Sequence, residues 1–156
     1  MPTQALPRES PELRLIAPAR IHAGEPLKLT FEVSNNGADG FYFKVPWKWA
    51  TNGMRVVAIG SEGREYASGT ALYDIAAESA CTHFKALGSH ERLQFERTLP
   101  DSGIGPTLQL PPGSYQLKWI YDVVHYEDEK TCAAGGWPIW GGKAESAPVT
   151  LEVMQP

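Results

Sequence analysis

The chain has 156 residues and a formal net charge of −4, and 42% of its residues are hydrophobic. This length suits one domain with a substantial core, and the hydrophobic content is too high for a disordered chain. No apolar run approaches the roughly 18 residues that cross a bilayer, and Lys and Arg are scattered singly. Because binding to a phosphate backbone needs clustered cations, this composition excludes a transmembrane segment and argues against a nucleic-acid partner.

Residues 1–11 form a polar, Pro-rich lead-in, with prolines at positions 2, 7 and 11. This stretch lacks the apolar core of a secretion signal. We expect it to be flexible, with an export signal removed ahead of Met1 and a lipid tether before residue 1 as one means of attachment. Residues 12–156 contain no linker and no internal repeat, so they are predicted to form a single domain.

Alternation of apolar and polar residues, the pattern of a half-buried strand, recurs along the chain. In the segment 27–33, one face carries Leu27, Leu29, Phe31 and Val33. In the segment 41–49, one face carries Phe41, Phe43, Val45, Trp47 and Trp49, and the other carries Tyr42, Lys44 and Lys48. Further strands are predicted at 12–16, 54–59, 64–68, 92–99, 115–121 and 149–153. About seven strands joined mostly by tight turns predict an all-β fold, an antiparallel β-sandwich.

The segment 69–90 does not follow this alternation. Its apolar and small residues at helical spacing are Leu72, Ile75, Ala76 and Ser79. A short helix near 70–80 or an ordered loop is therefore expected there, rather than another strand.

The sequence "LPPGSYQLKWIYD" at 110–122, followed by "SAPVTLEV" at 146–153, resembles the last two strands of bacterial immunoglobulin-like and fibronectin-type domains. The resemblance implies an immunoglobulin-like sandwich over residues 12–156 and no activity of its own. It makes Tyr115 the corner tyrosine, whose hydroxyl would bond to backbone just upstream, and it matches Trp47 or Trp49 to the tryptophan of the third strand. Leu117 stands where antibody domains have cysteine, so their inter-sheet disulfide is absent.

The two cysteines, Cys81 and Cys132, are far apart in the sequence and form no Cys-x-x-Cys motif. A disulfide between them is predicted, and it would close a loop of about 50 residues and stabilise the domain by about 4 kcal/mol. Such a bond implies an oxidising compartment, so a periplasmic or cell-envelope location is expected. The alternative is a cytoplasmic protein with two free thiols.

The stretch 121–145 is the strongest candidate for chemistry, and it offers His125, Glu127, Asp128, Glu129 and Cys132. Three consecutive acids in an extended chain point to opposite sides and cannot all face one ion, so we expect a solvated acidic loop and no metal. No G-x-S-x-G motif or paired-carboxylate arrangement can be assembled. No catalytic residue, cofactor or enzymatic activity is predicted.

Near its end this stretch carries Trp137, Ile139 and Trp140, flanked by glycines. These side chains either cap one end of the sandwich or face a partner, because aromatic residues dominate binding hot spots. With Glu127 and Asp128 they are the predicted binding residues, and the acidic pair favours a basic partner. The predicted function is a non-enzymatic, extracytoplasmic protein-binding domain, an inhibitor or immunity-type protein of a secreted enzyme or toxin. The alternative is a carbohydrate-binding module in which the loop tryptophans stack on sugar rings.

Overall fold

The computed structural model describes residues 10–45, 54–68, 84–99, 109–122 and 137–156. Within these ranges the regular structure consists of eleven strands: β1 (Glu12–Ile16), β2 (Arg20–His22), β3 (Leu27–Ser34), β4 (Phe41–Lys44), β5 (Met54–Gly60), β6 (Glu65–Ser68), β7 (Phe84–Leu87), β8 (Arg92–Leu99), β9 (Gly113–Asp122), β10 (Lys143–Glu145) and β11 (Val149–Met154). No helix with the length and hydrophobicity of a membrane span occurs in these residues.

The strands confirm the predicted all-β class. The structure has more of them than the predicted number because β2, β7 and β10 were not predicted. β7 lies inside the segment 69–90, where a helix or an ordered loop was expected rather than another strand, so that expectation is wrong for Phe84–Leu87. The possible helix near 70–80 lies outside the described residues, as do Trp47 and Trp49.

The strands form three sheets, and the ladders are antiparallel except for the parallel pairing of β2 with β11. The first sheet has the order β1-β3-β8. The second has the order β2-β11-β9-β5-β6, with β10 also paired to β9. The third consists of β4 and β7 and prolongs the β3–β8 ladder, since Ser34 pairs with Arg92 and Phe41 pairs with Leu87.

The first two sheets pack face to face around one aromatic core. The inward row of β3 is fully or nearly fully buried, as predicted, and consists of Leu27, Leu29, Phe31 and Val33. The inward row of β9 consists of Tyr115, Leu117, Trp119 and Tyr121. Phe31 and Trp119 meet edge to face across the sandwich, with ring centroids 4.8 Å apart. Each large side chain buried in this way contributes roughly 1.5–3 kcal/mol, which makes these two rows the main source of stability.

The Tyr115 hydroxyl bonds to the backbone just upstream, as expected for a corner tyrosine. It donates to the carbonyl oxygen of Pro111 at 2.5 Å. Burial raises the pKa of Tyr115 above its ordinary value of 10.0, Tyr66 raises it further, and Arg64 opposes them. The hydroxyl is therefore protonated at neutral pH and can donate this bond, which ties the entry of β9 to the turn before it.

Lys44 is fully buried although it alternates with the apolar residues of its strand. Its Nζ lies 5.9 Å from the centroid of the Phe84 ring, and its carbonyl oxygen accepts a hydrogen bond from the Tyr121 hydroxyl at 2.7 Å. The polar face of β4 is therefore enclosed at this position. Tyr42, on the same face, is only half-buried, so this enclosure is confined to the Lys44 end of β4.

Candidate functional site

Three of the predicted binding residues, Trp137, Ile139 and Trp140, lie in the described part of the chain. Glu127 and Asp128 lie outside the described residues, and so do Cys81 and Cys132. The acidic contact surface and the disulfide therefore stay predictions. Among the residues that the structure describes, no group of three or more His, Cys, Asp or Glu side chains is arranged to hold a metal ion.

The segment 137–142 is attached to β4 by main-chain hydrogen bonds. The Tyr42 N–H donates to the carbonyl oxygen of Pro138 at 2.8 Å, and the Trp140 N–H donates to the carbonyl oxygen of Tyr42 at 2.9 Å. Ile139 pairs with Tyr42 as a parallel bridge. The segment therefore lies beside β4 like a third strand of the small β4–β7 sheet, joined to it by a single bridge.

Trp140 and Ile139 belong to the core, with exposed fractions of only 4% and 6%. The Trp140 ring lies 5.6 Å from the ring of Tyr121 and 6.4 Å from the ring of Phe43, measured between centroids. The Trp140 ring therefore caps the core, which is the first of the two alternatives considered for the loop, and Ile139 is buried beside β4. Buried in this way, they cannot form a contact surface.

Trp137 faces outward, and 38% of its surface is exposed. A Cβ atom at Gly40 would lie 2.6 Å from both Cε2 and Cζ2 of the indole, and one at Gly88 would lie 3.5 Å from Cη2. Only glycine at position 40 lets the ring come this close to the backbone. We call Gly40 and Gly88, which support the indole, the glycine shelf. The Tyr42 ring is tilted beside the indole, with the two centroids 6.2 Å apart.

Asn35 holds the glycine shelf in place. Its Nδ2 donates to the carbonyl oxygens of Asp39 at 2.9 Å and Leu87 at 3.0 Å, and its Oδ1 accepts from the Gly37 N–H at 3.0 Å. The connection 35–40 is thereby bonded both to itself and to the end of β7. Because Asn35 is buried, these bonds are shielded from water and are costly to break.

The second connection, 88–91, is fixed in a similar way. The Gly88 N–H donates to Oε1 of Glu91 at 2.6 Å, and the Ser89 hydroxyl donates to the carbonyl oxygen of Gly37 at 2.7 Å. His90 has a positive φ of 62°, and its N–H donates to the carbonyl oxygen of Asn35 at 2.7 Å. The two connections therefore form one bonded unit beneath Trp137.

The two connections that form the shelf are acidic in sequence. Connections 35–40 and 88–91 carry two carboxylates, Asp39 and Glu91, and contain no Lys or Arg. These carboxylates would attract a cationic group that approached the connections.

Sequence reasoning identified Trp137 but missed Gly40, Gly88 and Asn35. The stretch "NNGADG" at 35–40 separates β3 from β4. Its Asn and Gly content is a turn signal, yet nothing in it indicates that a tryptophan about a hundred residues later lies on it. That contact depends on the pairing of segment 137–142 with β4.

No protein-family model matches the chain, and no curated protein matches its sequence.

Proposed function

We propose that the chain is a non-enzymatic protein-binding domain that works outside the cytoplasm, at the cell envelope, and contacts its partner through Trp137. An inhibitor or immunity-type protein of a secreted enzyme or toxin is the role that fits best. The observation that carries the proposal is the exposed indole of Trp137, supported on one side by Gly40. A preorganised aromatic side chain loses little entropy on binding, which is why tryptophan is common at hot spots.

We also propose that the sandwich is an immunoglobulin-like domain. The parallel pairing of β2 with β11, the antiparallel ladders of the other strands and the bond from Tyr115 to Pro111 support this assignment. The fold supplies a rigid body and implies no activity, because such sandwiches carry many unrelated functions. The binding function is therefore proposed for the loops and not for the sheets.

The partner is proposed to be basic on the surface that meets Trp137. Asp39 and Glu91 flank the glycine shelf, and the predicted contributions of Glu127 and Asp128 have the same sign. Complementary charge increases the association rate and selects among partners more than it adds affinity. Binding should therefore slow as the ionic strength is raised.

Pull-down from a native extract tests the proposal with a Trp137→Ala variant. We expect the immobilised chain to recover a protein in stoichiometric amount, and we expect the variant to bind it about 30-fold more weakly, as for a hot spot of about 2 kcal/mol. The matched control is Ile59→Ala, since Ile59 is 42% exposed and lies on β5 in the other sheet. The control should bind like the parent chain.

A second variant tests whether binding depends on the position of the indole as well as on its presence. Gly40→Ala keeps Trp137 but places a methyl group where the ring lies, so it should weaken capture nearly as much as Trp137→Ala does. Gly60→Ala is its control, because a Cβ atom there would meet only ordinary contacts at 3.5 Å or more. Equal capture by the parent, Trp137→Ala and Gly40→Ala chains would refute Trp137 as the contact residue.

A carbohydrate-binding module is the second candidate. It is favoured by the same open indole, because aromatic rings that lie on a rigid support are suited to stacking on a sugar ring. Addition of a soluble glycan should then change the tryptophan fluorescence of the parent chain and leave the Trp137→Ala chain unchanged. The protein-binding proposal predicts no change in either chain.

A further inference from the structure

Strand β1 has one edge that no other described strand occupies. Among the described strands it ends the three-stranded sheet and pairs with β3 alone, through all five of its residues. Its other edge borders a groove of about 390 Å³, whose lining is β1 itself together with Ala17, Ala147 and Val149. The unpaired N–H and C=O groups of such an edge can form a ladder with a further strand.

The pattern of β1 restricts what can pair with it. Glu12, Arg14 and Ile16 point outward and are exposed, while Leu13 and Leu15 point into the core. The charges on the outer face therefore alternate in sign. Prolines at positions 11 and 18 bracket the strand, so a ladder along this edge is confined to a short stretch.

Two copies of this edge can pair antiparallel in three registers that match at least three β1 residues of each copy and keep outward residues opposite outward residues. A register centred on Arg14 places two arginines opposite each other, which is destabilising. A register centred on Leu15 places Arg14 opposite Ile16 of the partner copy. Only the register centred on Leu13 places Glu12 opposite Arg14 of the partner copy, and symmetry repeats that pair.

We propose that the chain self-associates as a two-fold dimer through β1, with Leu13 opposite Leu13 of the partner copy. The two three-stranded sheets then become one continuous sheet. Two Glu12–Arg14 pairs lie on its outer face, and each aligns opposite charges in adjacent strands. The Glu12 Oε2 atom also accepts a hydrogen bond from Nδ2 of Asn36 at 2.8 Å. Because Asn36 follows β3, on the side of β1 away from the free edge, the pair with Arg14 has to form beside this bond or replace it.

Self-association of this kind is independent of the proposed contact through Trp137. Because a two-fold interface uses the same strand of both copies, it closes on itself and does not lead to fibres. In this register only residues 12–14 of each β1 lie opposite each other, so the ladder buries little surface and the dimer is expected to be weak and in rapid exchange with the monomer.

Sedimentation velocity of the chain over about 5–500 μM tests the proposal. The parent chain should show a reversible monomer–dimer equilibrium. Arg14→Glu places like charges opposite each other twice and should raise the dissociation constant at least about tenfold. The double variant Glu12→Arg/Arg14→Glu restores opposite charges and should return the constant to near the parent value.

The matched control is Lys85→Glu, which reverses an exposed charge on β7 and should leave the equilibrium unchanged. Circular dichroism verifies that every variant is folded. A parent chain that stays monomeric throughout would overturn the proposal. An unchanged equilibrium in folded Arg14→Glu, or a folded double variant that stays monomeric, would overturn the register.

Discussion

Replacing Trp140 with alanine is expected to lower the free energy of unfolding by about 3–5 kcal/mol, the usual cost of removing a large aromatic side chain from a core. Trp140 is almost completely buried. It packs against the rings of Tyr121 and Phe43, and the segment that carries it is bonded to β4 through Tyr42. Removal leaves a cavity that the surrounding strands cannot close without breaking their ladders. Urea denaturation followed by fluorescence measures the change.

Trp137→Ala is the matched control for this prediction. The two tryptophans lie three residues apart on the same segment, but only Trp140 faces inward. We expect the outward substitution to cost no more than about 1 kcal/mol, the scale of a change at the surface. A loss at Trp137 as large as the loss at Trp140 would mean that both side chains serve the core, and Trp137 would no longer be a candidate contact residue.

Loss of the predicted disulfide between Cys81 and Cys132 is expected to lower the free energy of unfolding about as much as Trp140→Ala does. A bond that closes a loop of about 50 residues removes conformational freedom from the unfolded chain and so stabilises the folded domain by about 4 kcal/mol. Since a small domain has only about 5–15 kcal/mol of stability in total, reduction should shift its unfolding midpoint strongly. Urea unfolding of the untreated and the reduced protein gives the difference.

Alkylation of the untreated protein, followed by mass spectrometry, shows directly whether Cys81 and Cys132 form a disulfide. Alkylation under denaturing conditions without a reductant should add no mass, and alkylation after reduction should add two alkyl groups. A Cys81→Ser/Cys132→Ser variant should then unfold like the reduced protein. If both sulfurs react without reduction, the proposed location outside the cytoplasm loses its basis and the alternative with two free thiols replaces it.

The strands that sequence predicted well are those long enough to show alternation against a single buried face. The segment 92–99 matches β8 at both ends, and the inward row of β3 was predicted residue by residue. β2, β7 and β10 were missed because they are short and show no apolar alternation of their own. Lys44 marks another limit, since its burial involves Phe84 and Tyr121, which are distant in the sequence.

The sequence predicted the tryptophans of the candidate site, but it did not predict their orientation or the glycine shelf. Tryptophans flanked by glycines indicated an aromatic loop, but the burial of Trp140 and the exposure of Trp137 depend on where hydrogen bonds to Tyr42 hold the segment. The glycine shelf depends on Asn35, whose bond to Leu87 joins residues 52 positions apart. Local patterns carry no information about such contacts, because they arise only when the strands have paired.

The central claim is that segment 137–142 places one tryptophan in the core and presents the other to a partner. Labelling the five tryptophans with fluorine and recording ¹⁹F spectra with a soluble paramagnetic agent tests it directly, once substitution has assigned each resonance. The resonance of Trp137 should broaden strongly, while those of Trp140 and Trp119 should stay sharp. Equal broadening of Trp137 and Trp140, or a Trp137 resonance as protected as that of Trp119, would contradict the claim.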